Sequence, residues 1–428
     1  MMMKKFAEVK KGENFMNKNN KITVIDSICG SGKTSWAIQE MNNNVDQKYI
    51  YITPFLDEID RIKEECYNRY FCSPNPNKTG KKIDDFYNLL KKGDNIASTH
   101  SLFMNLNSKI IEELETQNYT LILDEAVNIL EDMKINKKDI KILLDSKKIE
   151  IDDSTKKIKW IDDDYIGEDL KFSKLRNNCL NGDVYFINNS VMLWTFPVNI
   201  FKSFKEIYIM TYLFEGQIQK YYYDMYNIKY EYKSVELTNK VGLGEYERRE
   251  YKLVDYKEVD KSKYKSLINI YEGKLNLVGE KSTDLSSSWY RKNYKNNMER
   301  IKSLKNNTYN YFKHMCKSKS SENMWTVYKD YKSKLKGRGY SKGFVACNAR
   351  AVNEFKDKKN LAYLCNIYVN PMHKKLFELK DIKVNEDFYA LDKIIQWMFR
   401  SQLRNDKPIN IYIPSKRMRD LLHKWLDS

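Results

Sequence analysis

The chain has 428 residues, a formal net charge of +17 and an aromatic content of 13%. This length is typical of two or three domains, and the aromatic and hydrophobic content excludes a wholly disordered chain. The basic excess favours a polyanionic partner. A Lys-rich codon bias in an AT-rich genome is an alternative explanation, because Lys outnumbers Arg 62 to 13.

The cysteine pattern and the uncharged segments indicate a cytoplasmic protein without membrane contact. Seven scattered cysteines and four distant histidines predict neither a disulfide framework nor a zinc site. Residues 1–20 are polar and basic, and we interpret them as a flexible tail rather than a signal peptide. The longest uncharged run, 184–201, contains Asn and Pro, so we expect it in the protein interior.

A glycine-containing turn near the N-terminus predicts a phosphate-binding loop. The β-rich run 22–26 leads into the turn SICGSGKT at 27–34, and a helical pattern covers 35–41. This order of strand, loop and helix is the context of a P-loop, in which backbone N–H groups surround phosphates. We predict that Lys33 contacts the phosphates of ATP and that Thr34 contributes a hydroxyl to Mg²⁺. The residues expected to bind ATP in this turn are Gly30, Ser31, Gly32, Lys33, Thr34 and Ser35.

An apolar run at 119–123 leads into two acids, Asp124 and Glu125. A strand that ends in two acids is typical of a Walker B site, where we expect Asp124 to hold Mg²⁺ and Glu125 to activate the attacking water. A strand followed by an acidic helix N-terminus is the alternative. The P-loop pattern upstream favours the Walker B interpretation.

Two further strands are predicted between these motifs, one at 49–53 before Pro54 and one at 96–99 before His100. Polar residues at strand ends line the ligand crevice of an open α/β sheet, and hydroxyl groups there suit phosphate contacts. Each strand end taken alone is also compatible with an ordinary polar loop.

In chain order, GSGKT, ITP, STHS and DEAV resemble the first-domain motifs of superfamily 2 helicases, the DEAD/DEAH group. The resemblance implies that Thr53, Pro54, Thr99 and His100 grip a nucleic-acid backbone. Val127 stands where this family has His or Asp, a residue that helps to couple hydrolysis to strand movement.

The resemblance also implies a short hydroxyl motif that links two domains, and Thr211 at the end of the strand 206–212 is its best match. The intervening segment 134–164 is strongly charged. We interpret it as an inserted helix and hairpin that is structural, with a strand-separating element as the alternative.

The positive charge is concentrated in residues 291–339, which contain fourteen Lys or Arg against three acids, an excess of +11. Aromatic residues, Trp325 among them, are interleaved with these cations. Cations beside stacking aromatics can hold single-stranded nucleic acid, so we predict that Trp325 contacts the nucleic-acid strand. The alternative is a pair of amphipathic helices with Lys outside and aromatics in the core.

A strand predicted at 344–347 precedes Asn348 and Arg350, at the location of the fifth motif of the helicase family. The resemblance implies nucleic-acid contacts for both residues. The segment 394–405 is predicted as one helix.

Gln396, Arg400 and Arg404 are spaced by four residues, which places them on one face of a helix. This pattern resembles the sixth motif of the family, whose arginines reach the γ-phosphate, so Gln396 is expected to bind ATP and the arginines to act as fingers. An amphipathic helix with solvated arginines is the alternative.

The sequence therefore predicts an α/β fold of two RecA-like P-loop NTPase domains, 21–215 and 216–428. The first domain would carry a charged insertion and the second a basic one. The predicted function is an ATP-dependent, Mg²⁺-dependent helicase or translocase that acts on single-stranded or tailed duplex nucleic acid, with DNA preferred. The segments PFLDE, TYLFEG, CNARAVNEF, QWMFRSQLR and IYIPSKRMRDLL together resemble DEAD/DEAH-type helicases of phages and mobile elements in low-GC Gram-positive bacteria. This resemblance implies a role in phage or plasmid DNA replication, with replication proteins as partners.

A nucleic-acid-binding scaffold in which ATP acts as a switch is the alternative function. A P-loop kinase is disfavoured, because it explains neither the spacing of Gln396, Arg400 and Arg404 nor the local excess of +11.

Overall fold

The computed structural model describes residues 21–167, 170–241, 248–348 and 353–428. The predicted N-terminal tail, 1–20, and Arg350 lie outside these ranges. The strands, in chain order, are β1 (Lys21–Asp26), β2 (Tyr49–Thr53), β3 (Phe71–Cys72), β4 (Asn95–Thr99), β5 (Thr120–Asp124), β6 (Leu130–Met133), β7 (Ile149–Ile151), β8 (Ile158–Trp160), β9 (Asp183–Ile187), β10 (Val191–Thr195), β11 (Glu206–Thr211), β12 (Glu231–Val241), β13 (Arg248–Asp255), β14 (Ile268–Ile270), β15 (Asn323–Thr326), β16 (Asn360–Tyr363) and β17 (Ile409–Tyr412).

The α-helices, in chain order, are α1 (Lys33–Asn43), α2 (Leu56–Glu65), α3 (Pro76–Thr79), α4 (Lys82–Lys92), α5 (His100–Phe103), α6 (Ser108–Gln117), α7 (Lys137–Asp145), α8 (Ser173–Asn181), α9 (Val198–Lys202), α10 (Ile218–Met225), α11 (Ser262–Leu267), α12 (Ser287–Asn296), α13 (Met298–Asn310), α14 (Lys332–Leu335), α15 (Pro371–Glu378), α16 (Glu386–Met398) and α17 (Lys416–Asp427). In the part of the chain that the structure describes, no helix is both long and apolar enough to cross a bilayer.

The first sheet has the strand order β13-β12-β1-β11-β5-β2-β4-β3, and all of its pairings are parallel except that of β12 with β13. β2 and β5 are buried along their whole length, as expected for parallel strands covered on both faces. The predicted strands at 22–26, 49–53, 96–99, 119–123 and 206–212 are confirmed as β1, β2, β4, β5 and β11.

The predicted domain boundary at 215/216 is wrong. β12 pairs in parallel with β1, and β13 pairs with β12, so the first sheet extends to Asp255. The prediction failed because β12 joins the sheet on the far side of β1, away from the preceding strand β11. We call residues 21–255 the first α/β unit and residues 262–428 the second α/β unit.

An insertion in the first unit separates β5 from β11. It contains the antiparallel sheet β6-β10-β9, the hairpin β7–β8 and the helices α7 and α8. The helix and hairpin predicted within 134–164 are thereby confirmed. The uncharged run 184–201 forms β9, β10 and α9, and its large apolar side chains are buried, as predicted.

The second unit contains a parallel sheet of order β14-β17-β16-β15. The strand expected at 344–347 does not form in it. Only Phe344 makes an isolated bridge, to Trp325. Gly343 packs against the backbone of β15, where a Cβ would lie 2.0 Å from the Asn323 carbonyl oxygen, and the chain leaves the sheet after Phe344.

The helix predicted over 394–405 also differs from the structure. α16 ends at Met398, and Gln402–Asn405 form a separate 3₁₀ turn. The buried Ser401 hydroxyl donates to the Met398 carbonyl at 2.6 Å and accepts from the Leu403 N–H at 3.3 Å. A serine that binds backbone groups in this way competes with helix continuation. Gln396, Arg400 and Arg404 therefore do not share one helix face.

The aromatic residues of 291–339 lie mainly in a core. Tyr311, Phe312 and Trp325 are buried in one hydrophobic cluster of the second unit, while Lys332 and Lys334 are exposed. The prediction that Trp325 contacts a nucleic-acid strand is wrong, since its side chain is fully buried. The alternative, with Lys outside and aromatics inside, describes most of this segment.

Trp325→Ala should lower the free energy of unfolding by about 3–5 kcal/mol, because it opens a large cavity in this core. Urea denaturation measures the change. Tyr294→Ala is the matched control, because Tyr294 is 38% exposed, and it should cost less than about 1 kcal/mol. Equal effects of the two substitutions would contradict the burial of Trp325.

Candidate functional site

The carboxyl ends of the parallel strands bring the predicted motifs together at one edge of the first sheet. Thr53, at the end of β2, donates from Oγ1 to Asp124 Oδ2 at 3.3 Å. His100, which follows β4, has Nε2 2.9 Å from the Asp124 carbonyl oxygen. Both residues are buried. Thr53 and His100 therefore hold Asp124 from the protein interior. The predicted contact of Thr53 with a nucleic-acid backbone is wrong, because its side chain has no exposed surface.

The 27–34 loop has the backbone shape of an anion site. Gly30 and Gly32 have φ of 83° and 95°, a conformation that favours glycine. Lys33 Nζ folds back onto the loop and donates to the carbonyl oxygens of Ser27 and Ile28, the latter at 3.0 Å. The ammonium group therefore lies against the loop backbone at the start of α1.

The N-terminus of α1 fits a phosphate group. No side chain caps it, and its first turn contains no acidic residue. The nearby Ser31 Oγ is buried and has no hydrogen-bond partner among the described residues. Unsatisfied N–H groups at a helix N-terminus attract anions. The loop, the start of α1 and the Ser31 hydroxyl therefore offer hydrogen-bond donors that an anion could accept from.

Tyr251 of β13 packs directly on this loop. A Cβ at Gly32 would come within 2.1 Å of the Tyr251 ring. Tyr251 N–H also donates to Gln39 Oε1 at 3.0 Å, which ties β13 to α1. Sequence patterns do not indicate a role for Tyr251, because the predicted boundary at 215/216 places it in the other domain.

The acid pair has unequal surroundings. Asp124 is buried, and burial, followed by the negative charges of Glu125 and Glu58, raises the pKa of its carboxyl to about 7. Glu125 has φ of 71° and is only half-buried. Three or more potential ligands do not cluster anywhere among the described residues. A magnesium ion needs only one or two carboxylates when phosphates and water complete its shell, so Asp124 and Thr34 fit such an ion.

Val127 is buried, and its N–H donates to Gln219 Oε1 at 2.9 Å. An apolar side chain therefore occupies the position at which the resemblance implies His or Asp. Contact between the acid motif and the rest of the first unit runs here through the backbone.

A cavity of about 330 Å³ separates the two units beside the acid pair. Glu125 lines it from the first unit, and Lys393, Gln396 and Arg400 line it from the second. Asn348 is exposed at the same cavity. Acidic and basic groups of the two units thus face each other across one small space.

The predicted arginines approach the 27–34 loop from the second unit. Burial raises the pKa of the Cys29 thiol, and Lys33, Arg404 and Arg400 are among the charges that oppose this rise. The Arg404 carbonyl oxygen would lie 3.6 Å from a Cβ at Gly30. The backbone of Arg404 therefore lies next to the loop, with its side chain exposed, whereas Arg400 lines the cavity between the units.

Two further residues of the first unit, Pro54 and Thr99, are predicted to contact nucleic acid. Thr99 caps α5 through a hydrogen bond from Leu102 N–H to its Oγ1 at 3.4 Å. Pro54 is half-buried.

Family comparison agrees with these structural divisions. The YonV C-terminal Rossmann-like domain matches residues 262–426, and the YonV middle domain matches residues 130–194. The SPbeta prophage-derived uncharacterized protein YonV of Bacillus subtilis (strain 168) is 41% identical over 424 residues, which cover 95% of this chain and 99% of that protein. The chain belongs to the YonV family.

The YonV family domains coincide with the second α/β unit and with the insertion of the first. The prophage origin of the relative confirms in part the expected similarity to phage proteins. Among solved structures, S. tokodaii Xpd4 aligns with a TM-score of 0.49 and 11% identity, over 95% of this chain and 94% of that chain.

Asp124→Asn should stabilise the protein at pH 8 in EDTA without nucleotide. The raised pKa means that the folded chain keeps a proton that the unfolded chain releases near pH 4, about the ordinary Asp value. The free energy of unfolding therefore falls as the pH rises from about 4 to about 7. The uncharged amide of the Asp124→Asn variant does not titrate, so the variant does not lose this stability. We expect a gain of roughly 1–3 kcal/mol in urea denaturation.

The control for this substitution is Asp57→Asn, on the exposed face of α2. Its unfolding free energy should match that of the unsubstituted protein across the same pH range. A destabilised Asp124→Asn variant at pH 8 would contradict the electrostatic account of the acid pair.

Proposed function

We propose that this protein is an ATP-dependent nucleic-acid helicase or translocase built from two RecA-like units. One observation carries the proposal: a cavity between the two units is lined by Glu125 of the acid pair on one side and by Gln396 and Arg400 on the other, while the Arg404 carbonyl oxygen packs beside Gly30 of the 27–34 loop. A site divided between two units makes hydrolysis sensitive to their relative position, which is what a motor requires.

Each group in the cleft has a role in phosphoryl transfer. Lys33 and the N–H groups of the loop would hold the phosphates of ATP, and Thr34 and Asp124 would hold Mg²⁺, which supplies charge neutralisation at the phosphates. Glu125 is the half-exposed carboxylate that can orient a water molecule. The planar, permanently charged guanidinium of Arg400 suits the charge that develops during transfer.

Exposed cations of the second unit support a nucleic-acid partner. The segment that follows β15 and includes α14 carries Lys329, Lys332, Lys334, Lys336 and Arg338, all exposed. Phosphate contacts of this kind position a strand and make its binding salt-dependent. Single-stranded or tailed duplex DNA is the preferred substrate in this proposal, and replication proteins are its expected partners.

Lys33→Ala should abolish ATP hydrolysis stimulated by single-stranded nucleic acid, because the loop loses its only side-chain cation for the phosphates. A coupled phosphate-release assay with and without single-stranded DNA or RNA measures this. Lys63→Ala, at the end of α2, is the control and should hydrolyse ATP normally. Full activity of Lys33→Ala would disprove the assignment of the loop.

Arg400→Ala should reduce kcat for ATP by about 10³-fold, the loss typical of a missing arginine finger, with little change in nucleotide affinity. Arg400→Lys should recover only part of this loss, because lysine lacks the planar fork. Lys407→Ala, nearby and exposed, is the control. Normal turnover by Arg400→Ala would show that the second unit does not complete the site.

The burial of Val127 favours a second candidate, a nucleic-acid-binding scaffold in which ATP acts as a switch. In superfamily 2 helicases, a His or Asp at this position helps to couple hydrolysis to movement. Here the position holds an apolar, buried side chain. Strand displacement on a tailed duplex separates the two functions. ATP-dependent displacement supports the motor, whereas ATP-dependent binding without displacement or translocation supports the scaffold.

A further inference from the structure

A buried joint connects the two units beside the cleft, formed by residues 212–217 and by α16. Gly216 lies against the backbone of α16, where a Cβ would come within 2.3 Å of the Phe388 carbonyl oxygen. Tyr212 is buried in the core of the second unit and accepts a hydrogen bond from Trp425 Nε1 at 3.0 Å. The first unit thus reaches into the second through direct backbone contact.

The carboxylate of Asp392 lies at the centre of this joint with no exposed surface. Its Oδ1 accepts from Gln396 Nε2 at 2.7 Å and from Gln217 Nε2 at 3.1 Å. Its Oδ2 pairs with Lys393 Nζ at 2.8 Å. A buried carboxylate is costly unless it is paired and hydrogen-bonded. Since the donors come from both units, Asp392 is fully satisfied only while the joint is closed.

Hydrogen bonds continue from this carboxylate to the 27–34 loop. Gln217 Nε2 lies 2.7 Å from Thr211 Oγ1, at the end of β11. The Thr211 carbonyl oxygen in turn accepts from Ser27 N–H at 3.0 Å. The charge of Asp392 is also among the influences, after burial, that raise the pKa of Asp26. The carboxylate is therefore connected to both walls of the cleft.

We propose that Asp392 is a positioning residue for the cleft: it holds α16 against Gln217, so that Gln396 and the following Arg400 face the first unit. This inference rests on the proposed function. Asp392 does not line the cavity between the units, so it acts through the two glutamines rather than on the nucleotide. Loss of its charge loosens α16 and moves Arg400 out of register with Glu125.

The test is Asp392→Asn, which keeps the volume but removes the charge and presents an N–H group to neighbouring donors. The kcat for ATP should fall about 10- to 100-fold, the effect of a small misplacement of a catalytic group, while the KM for ATP stays within about threefold. Amide hydrogen exchange, measured without nucleotide, should become faster in 212–217 and in α16.

Asp387→Asn is the matched control. Asp387 begins the same helix but is exposed, and its carboxylate pairs with Arg417 Nη2 at 2.7 Å on the surface. Both readouts should stay unchanged in this variant. If Asp392→Asn retains native turnover and native exchange in α16, the positioning role is wrong.

Gln217→Met keeps the test decisive if Asp392→Asn does not fold. It removes the donor from the first unit at similar volume, and it should speed amide hydrogen exchange in α16 across the joint.

When both variants fold, the double variant should lose less activity than the product of the single losses, because the residues act on each other. Multiplicative losses would overturn the role. If the unsubstituted protein hydrolyses no ATP, the proposed function fails, and exchange in α16 still decides the role of Asp392.

Discussion

Strand β11 sets the geometry on which the rest of the site depends. It lies between β1 and β5, and its last residues bind both neighbouring motifs: Ser27 N–H donates to the Thr211 carbonyl at 3.0 Å, and Glu125 N–H donates to the Met210 carbonyl at 2.9 Å. Neighbouring strands are about 4.8 Å apart, so the loop and the acid pair are held roughly 10 Å apart by one intervening strand. That spacing accommodates a phosphate and a hydrated cation between them. The same strand end continues into the joint with the second unit.

Three acids are buried close to this strand, and each is stabilised differently. Asp26 accepts the N–H groups of Leu213 and Phe214 at 2.9 and 3.0 Å, although burial still raises its pKa. Asp392 is paired with a lysine and two glutamines. Asp124 accepts from the Thr53 hydroxyl at 3.3 Å, and Tyr51 and Lys33 also favour its charged form, yet burial still raises its pKa to about 7. A site of this kind gains stability when a cation binds, which links ligand binding to folding.

The parts of the site that the sequence predicted are those with short-range signals. The apolar runs of β2 and β5 are buried on both faces and end in polar residues, so their position could be read locally. The placement of β12 and of the edge strand β13 could not, because both carry charged residues that do not indicate which sheet they join. The end of α16 depends on the buried hydroxyl of Ser401, and its burial is a tertiary property. For Trp325, cations interleaved with aromatics are compatible with both a core and a stacking surface, and only packing distinguishes them.

The two units exchange apolar side chains, and this limits how the cleft can move. Ile28 and Tyr212 of the first unit are buried in the core of the second, while Leu376 and Phe377 of α15 are buried in the core of the first. Pulling the units apart would expose these side chains, at about 1.5–3 kcal/mol each. Arg400 lies just beyond the end of α16, the helix that packs against Gly216 of the joint, so the contacts that hold the two units together also fix the position of this arginine at the cavity.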